Sequence, residues 1–378
     1  MYLSLIFKVM NTPPELPANA PAPRKKFWRS PFGILLLVFA GMTAALAIVV
    51  AGLLAWTWNS LQKPEVASAL VAETFRELKF TDGAGGYTRV VRTGPDDFKA
   101  QVAFRTFVSD KGAPPVTLAG ISHIASKECY DAVQKRLDAA NRVLFEGTRD
   151  MKEPIDADLL AKHPYVRLAK TFGLISQFEG IDYKRDSFES ADMSVEEMHE
   201  VLKAEAASGG GEGETAGKAD EKLSALIMAL SGDGRAANAI LDGIDWLNRK
   251  NPAYGQAFRM LLCVAETIDF DASLKDEPDL RRMMKLILDD RNDRLVSRLK
   301  ATIGAEKPPS DITVFYGAKH MAGIEKILCE DMGYKPASTE WITVFDIHPK
   351  AAGMNDDAVD ALAARVTKEK PVAVGSGA

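Results

Sequence analysis

The chain has 378 residues, 47% hydrophobic and 26% charged, a globular composition with length for one large domain or two ordinary ones. Its net charge of -5, with no basic excess, argues against nucleic acid as a partner. Three cysteines, Cys129, Cys263 and Cys329, exclude a disulfide-rich scaffold and leave one bridge open in an oxidising space.

Residues 1–31 include a Pro-, Ala- and Asn-rich stretch and read as a disordered cytoplasmic tail. From Phe32 to Trp58 no charged residue occurs. About 20 apolar residues cross a bilayer, so this run is long enough for a tilted transmembrane helix. Trp28 precedes it, and Trp56 and Trp58 close it, as interfacial anchors do. Ala45-Leu46-Ala47 offers a signal-peptidase-like site, but the apolar run continues past it, so an uncleaved anchor is expected. Arg24, Lys25, Lys26 and Arg29 lie before the span and Lys63 after it. That asymmetry predicts a single-pass protein with a cytoplasmic N-terminus and an extracytoplasmic main domain.

The main domain is expected over 65–348. A helix is predicted over 65–80. A hairpin is predicted over 87–108, turning at Thr93-Gly94-Pro95-Asp96-Asp97. Next comes PVTLAGISH, ending at His123, then a helical stretch and the short apolar run Arg142-Val-Leu-Phe-Glu146. A mostly helical stretch follows, from Ile155 to about Ala206. The glycine-rich segment Ser208–Glu214 is a linker. It is not a phosphate loop, because Glu212 stands where the first glycine is required and Ala219 where a Ser or Thr is required. Apolar residues at helical spacing mark a helical insert over 220–303, stopped by Gly304 and Pro308-Pro309. Then the earlier pattern returns: ITVFYGAKH ends at His320, a helix follows, and Ile342-Thr-Val-Phe-Asp346 closes the unit. Residues 349–378 read as a C-terminal tail.

The repeated order of strand, Gly-x-x-His, helix, strand and acid predicts an α/β fold with two related halves and a parallel or mixed core. Parallel strands need crossovers of this kind. Side chains at their carboxyl ends lie where open α/β sheets build sites. Two histidines and an acid brought there from remote sequence suggest a divalent metal or acid/base centre. Neutral imidazole binds divalent metals, and a carboxylate completes a two-His, one-carboxylate set with positions left open. The candidate ligands are His123, His320 and Glu146, with Glu146 also a candidate catalytic base. Arg291, in LILDDRNDRL, is a candidate for holding an oxyanion. Asp346 and His348 rank behind Glu146. His163 and His199 read as surface residues. No HExxH, CxxC or GxSxG pattern occurs.

These residues resemble the TraB/TIKI family, which includes the pheromone-shutdown proteins. The likeness rests on Gly120-Ile-Ser-His123 with its helix and Val143-Leu-Phe-Glu146, then Gln177 with Asp182-Tyr183. It continues in Asp290-Arg291-Asn292, Gly317-Ala-Lys-His320 with Met321-Ala-Gly323-Ile-Glu325, and Gly333-Tyr334. It covers about 114–347. The resemblance implies an α/β fold of two related halves and, in some members, a membrane-tethered metal-dependent protease. It places essential roles on His123, Glu146 and His320.

The expectation is therefore a membrane-anchored, metal-dependent hydrolase acting on a peptide or protein substrate. Its rivals are a non-catalytic TraB-like protein that captures a peptide or modulates a membrane partner, and a haem- or iron-handling protein.

Overall fold

The structure, a computed structural model, describes residues 63–77, 86–147, 156–194, 196–198, 200–201, 235–265 and 285–366. The expected anchor at 32–58 and the linker at 208–214 lie outside the described residues. Among the described residues no helix is long and apolar enough to cross a membrane.

Helix α1 (Pro64–Glu77) opens the domain, matching the apolar spacing of its sequence. Strands β1 (Thr88–Arg92) and β2 (Phe98–Ser109) form the expected antiparallel hairpin, with Arg92 opposite Phe98. Its turn is closed by the Thr93 amide donating to the Asp97 carbonyl at 2.9 Å. On β2, Phe98, Ala100, Val102 and Phe104 alternate inward, the period-two pattern of a strand with one buried face.

β3 (Val116–Ile121) pairs antiparallel with β2 and parallel with β8 (Ile312–Gly317). The register sets Ile121 opposite Gly317. β5 (Val143–Phe145) lies on the other side of β8, also parallel, with Phe145 opposite Phe315. β7 (Phe188–Ser190) continues the sheet beyond β5. β9 (Tyr334–Ile347) runs along the other edge of β2, so β1 and β3 share the edge that faces them. The result is a mixed seven-stranded sheet in an α/β fold. A separate two-residue ladder joins β4 (Ile124–Ala125) and β6 (Ile175–Ser176).

The central strands are buried along their length: β8 reads Ile-Thr-Val-Phe-Tyr-Gly, with every residue inside. Such near-continuous apolar runs are what a parallel strand covered on both faces requires. Helix α2 (Lys127–Ala139) connects β3 to β5 and buries Cys129, Tyr130, Val133 and Leu137. Ser126 caps it by accepting from the Cys129 amide. Two short helices, α3 (Ala157–Lys162) and α4 (Pro164–Thr171), precede β6, and a single helical turn, α5 (Gln177–Gly180), follows it. The region expected as an insert supplies α6 (Arg235–Lys250), α7 (Ala253–Ala265) and α8 (Arg291–Ile303). Leu241, Ile244, Phe258, Leu295 and Leu299 belong to the same core as the sheet, so these helices are part of the body of the fold. α9 (Met321–Glu330) connects β8 to β9.

Two features depart from the sequence reading. β7, in a stretch read as helical, adds a strand to the main sheet; three residues are too few to show a period. The expected tail contains α10 (Asp356–Ala363), capped by Asn355 and joined to α1 through the Asn355 amide donating to Ser68 Oγ. All three cysteines are free thiols, with Cys129 and Cys263 buried.

Candidate functional site

The connection leaving β3 moves along the sheet toward β5, and the one leaving β8 moves the opposite way, past β3 and β2, to β9. The carboxyl ends of β3 and β8 are therefore a topological switch point, where open α/β sheets leave a crevice. His123 lies two residues beyond β3, and His320 ends a 3₁₀ turn (Ala318–His320) just beyond β8. Glu146 directly follows β5, its amide donating to the Phe315 carbonyl at 3.0 Å and so extending the ladder.

The three side chains converge on Gly317. A Cβ at that glycine would lie 3.2 Å from Glu146 Oε2, 3.6 Å from His123 Nε2 and 3.7 Å from His320 Cδ2. His320 Nε2 stands 3.7 Å from Glu146 Oε1. His320 is buried and forms the floor, whereas His123 is exposed and stands at the rim.

Each imidazole is fixed from behind by a carboxamide. His123 Nδ1 is 2.9 Å from Gln177 Oε1, and His320 Nδ1 is 2.8 Å from Asn292 Oδ1. The Gln177 amide nitrogen donates to the Tyr183 hydroxyl at 2.6 Å, which turns its oxygen toward the ring. A carbonyl oxygen can only accept, so each Nδ1 carries a proton, and in the neutral form of either ring the lone pair is the one on Nε2. Ligating histidines usually show this arrangement, with the second ring N–H held by an acceptor.

Glu146 sits in a dense ionic network. Its Oε1 accepts from Arg291 Nη2 at 2.6 Å and its Oε2 from the Gly317 amide at 2.6 Å. Arg291 also grips Asp192 through Nε at 2.8 Å and Nη2 at 2.6 Å, and its Nη1 reaches the Ile287 carbonyl at 3.4 Å. Asp192 accepts the amides of Gly147 and Met193 as well. A π-helical turn (Lys285–Asp290) runs into α8 and delivers Arg291 and Asn292 side by side.

Burial alone would raise the Glu146 carboxyl, but Arg291, the two histidines and the Gly317 amide outweigh it and hold it well below the usual range. Burial first, then Arg291 and His123, push His320 down to about 3 against the pull of Glu146. His320 is thus neutral at neutral pH. Arg291 is pushed above its ordinary value, its desolvation outweighed by Glu146 and Asp192. The Tyr316 hydroxyl is buried without a partner and feels Asp192, Arg291 and Glu146.

The residues fit a divalent ion in their chemistry: two imidazole Nε2 atoms and one carboxylate, beside an ionic network of Glu146, Asp192 and Arg291. As the side chains stand, no group of three or more His, Cys, Asp and Glu among the described residues is set in a metal-holding arrangement. Glu146 would supply lone pairs not already used by Arg291 and Gly317.

Of the sequence candidates, His123, His320, Glu146 and Arg291 come together. Asp346 and His348 do not: Asp346 lies 3.7 Å from Lys99, and His348 Nδ1 pairs with Asp97 at 2.8 Å. His163 caps α4, accepting from the Tyr165 amide, and His199 lies outside the described residues. Asp192 was not anticipated. Its signal was the same as that of Glu146, an acid just past a parallel strand, but β7 was too short to be recognised. Asn292 and Gln177 entered only through the resemblance, and their role as imidazole clamps needed the fold.

No family model, no curated protein and no solved structure matches this chain.

Proposed function

We propose that this chain is a membrane-anchored, metal-dependent hydrolase with peptidase-like chemistry, its α/β domain on the extracytoplasmic face. The two strand–Gly-x-x-His–helix–strand units are read as related halves that each bring one histidine to the crevice. The observation that carries this reading is the convergence of His123, His320 and Glu146 around Gly317, with each Nδ1 held by a carboxamide oxygen.

His123, His320 and Glu146 would hold the ion, which when bound supplies Lewis-acid polarisation of a carbonyl and a more acidic bound water. Gln177 and Asn292 keep the imidazoles in the Nδ1–H form. Glu146 stays ionised and is a weak base, because a catalytic base works best with a pKa near the operating pH. Its better role is therefore ligand. Arg291 is committed to Glu146, Asp192 and Ile287, so it positions Glu146 first; an oxyanion would have to compete for its N–H groups. His123, exposed at the rim, is the residue a substrate meets first.

The test is elemental analysis of the purified full chain together with turnover of a fluorogenic peptide library. The expected result is about one divalent ion per chain and metal-dependent cleavage, both lost in His123→Ala with the fold intact. Wild-type protein with neither metal nor cleavage sinks the proposal. One observation favours the rival non-catalytic reading: both Glu146 oxygens are already engaged by Arg291 and Gly317. That reading predicts peptide capture without turnover.

A further inference from the structure

A cavity of about 550 Å³ opens away from Gly317, between the carboxyl half of β9, the first turn of α2, the Gly173-Leu174 segment and α7. That volume is in the range that holds a small organic ligand. Its walls include the apolar side chains of Ala132, Leu174, Ile342 and Phe345. Arg259 lines it from α7, and Lys99 lines it from β2.

Arg259 is the unusual member. It is half-buried, and among the described residues its hydrogen bonds go only to carbonyls: Nη1 donates to Asp346 O at 2.9 Å and Nη2 to Phe172 O at 3.0 Å. By contrast, Arg136, on the neighbouring α2, holds the Glu340 carboxylate. No carboxylate among the described residues lies within ion-pair distance of Arg259, since Asp346 turns its side chain to Lys99. A guanidinium offers five donors, so most of its fork is unspent. Burial pulls the Arg259 guanidinium below its ordinary range against the pull of the more distant Asp346, and a carboxylate bound directly on its free N–H groups would add charge-assisted bonds that the protein does not supply.

The cavity's charges narrow the anion. Glu128 and Asp346 also line it, against Lys99 and Arg259. Each further negative charge on a ligand adds repulsion from these carboxylates, so a single carboxylate on the guanidinium fork suits the cavity better than a polyanion. From this geometry we infer that the cavity binds a small monocarboxylic acid, or a peptide's C-terminal carboxylate, seated on Arg259 with its apolar group against Leu174, Ile342 and Phe345. The β4–β6 ladder separates this cavity from the crevice: Ser126 and Leu174 face the cavity side, and His123 and Gln177 flank the other end of the ladder. None of His123, Glu146, Arg291 and His320 lines the cavity, so ligand binding there is read apart from the proposed hydrolase chemistry.

The test uses the purified full chain and isothermal titration with N-acetyl-leucine and its neutral twin, N-acetyl-leucinamide. The acid binds, and the amide binds on the order of tenfold more weakly or less, as expected for loss of a charge-assisted bidentate pair. Arg259→Gln reproduces that loss for the acid, Arg259→Lys restores part of it, and His123→Ala leaves it unchanged. A tetrapeptide ending in a free leucine separates the sources: tight binding assigns a peptide terminus, and exclusion assigns a free small acid. Equal binding of acid and amide to the wild-type chain, or no binding of either, overturns the inference whether or not the Arg259 variants fold. So does wild-type affinity in Arg259→Gln.

Discussion

Gly317→Ala separates site from scaffold more cleanly than removal of any ligand candidate. Gly317 has φ -51° and ψ 137°, a conformation alanine adopts without strain. Its amide bond to Glu146 uses the backbone and survives the change. The three heavy atoms nearest the added methyl all belong to site side chains, 3.2 Å away on Glu146 and 3.6–3.7 Å away on the two imidazoles. Gly→Ala at a compatible position stabilises by about 0.4–1 kcal/mol through the unfolded chain. The tight contact with Glu146 costs a comparable amount, about 1 kcal/mol by the scale of a small off-rotamer shift. The two nearly cancel, so the melting temperature should move by about 3 °C or less. The methyl nevertheless occupies the point on which the donors converge. Metal affinity should fall on the order of 10–100-fold, the range seen when the surroundings of a ligand set are disturbed. Circular dichroism melting and chelator competition on the same preparation measure the two effects. A variant that melts normally and keeps wild-type metal affinity and turnover would refute the placement of the site.

The two histidines should behave differently. His123→Ala, at an exposed rim position, should leave the melting temperature nearly unchanged, whereas His320→Ala strands the buried Asn292 oxygen and should cost about 1–3 kcal/mol. Denaturant titration of both variants checks this, and equal losses would show that the rim and floor assignment is wrong. Arg291→Gln should destabilise by about 3–5 kcal/mol, because it leaves Glu146 and Asp192 buried without their cation. Arg291→Lys should not restore it, since an ammonium cannot replace the two-pronged grip; full rescue by lysine in a thermal melt would contradict the geometry. Stability should also fall in acid. His320 drops from 6.5 to about 3 on folding, so the unfolded chain takes the proton first, and stability present above about 6.5 is lost as pH falls toward 3. Glu146, also depressed, adds a loss that begins as pH falls below 4.5. Urea midpoints across that window should slope less in His320→Gln; an unchanged slope would remove His320 as the cause.

Much of this was legible because it was local. The β1–β2 turn was fixed by Gly94-Pro95-Asp96, and the carboxyl ends of β3 and β8 were marked by Gly-x-x-His. Convergence of His123, His320 and Glu146 followed from asking where parallel strands end. What stayed hidden was non-local. Asp192 depends on a three-residue strand whose only support is its ladder with β5. Gln177 meets His123 across 54 positions and Asn292 meets His320 across 28, distances at which no sequence period operates. Tyr316 shows only in three dimensions as a buried hydroxyl without a partner.

The two units look alike in sequence yet deliver only one carboxylate, and strand order explains why. β8 is inserted between β3 and β5, so the acid that closes the first unit lands one strand away from the histidine that closes the second unit's first strand. Glu146 and His320 are therefore neighbours by construction. The second unit's closing strand, β9, travels past β3 and β2 before it pairs. At about 4.8 Å per strand, that displaces Asp346 by roughly 14 Å from β8, beyond the reach of an aspartate side chain. Had Asp346 also reached the crevice, a third carboxylate would have competed with Glu146 and Asp192 for a single arginine, and crowding of like charges drives a carboxyl toward its protonated form. With Asp346 beside Lys99, Arg291 is left to Glu146 and Asp192, and it holds Glu146 ionised. The crevice keeps Glu146 beside the neutral His320 and the Nε2 edge of His123, the donor set on which the proposed divalent ion would rest.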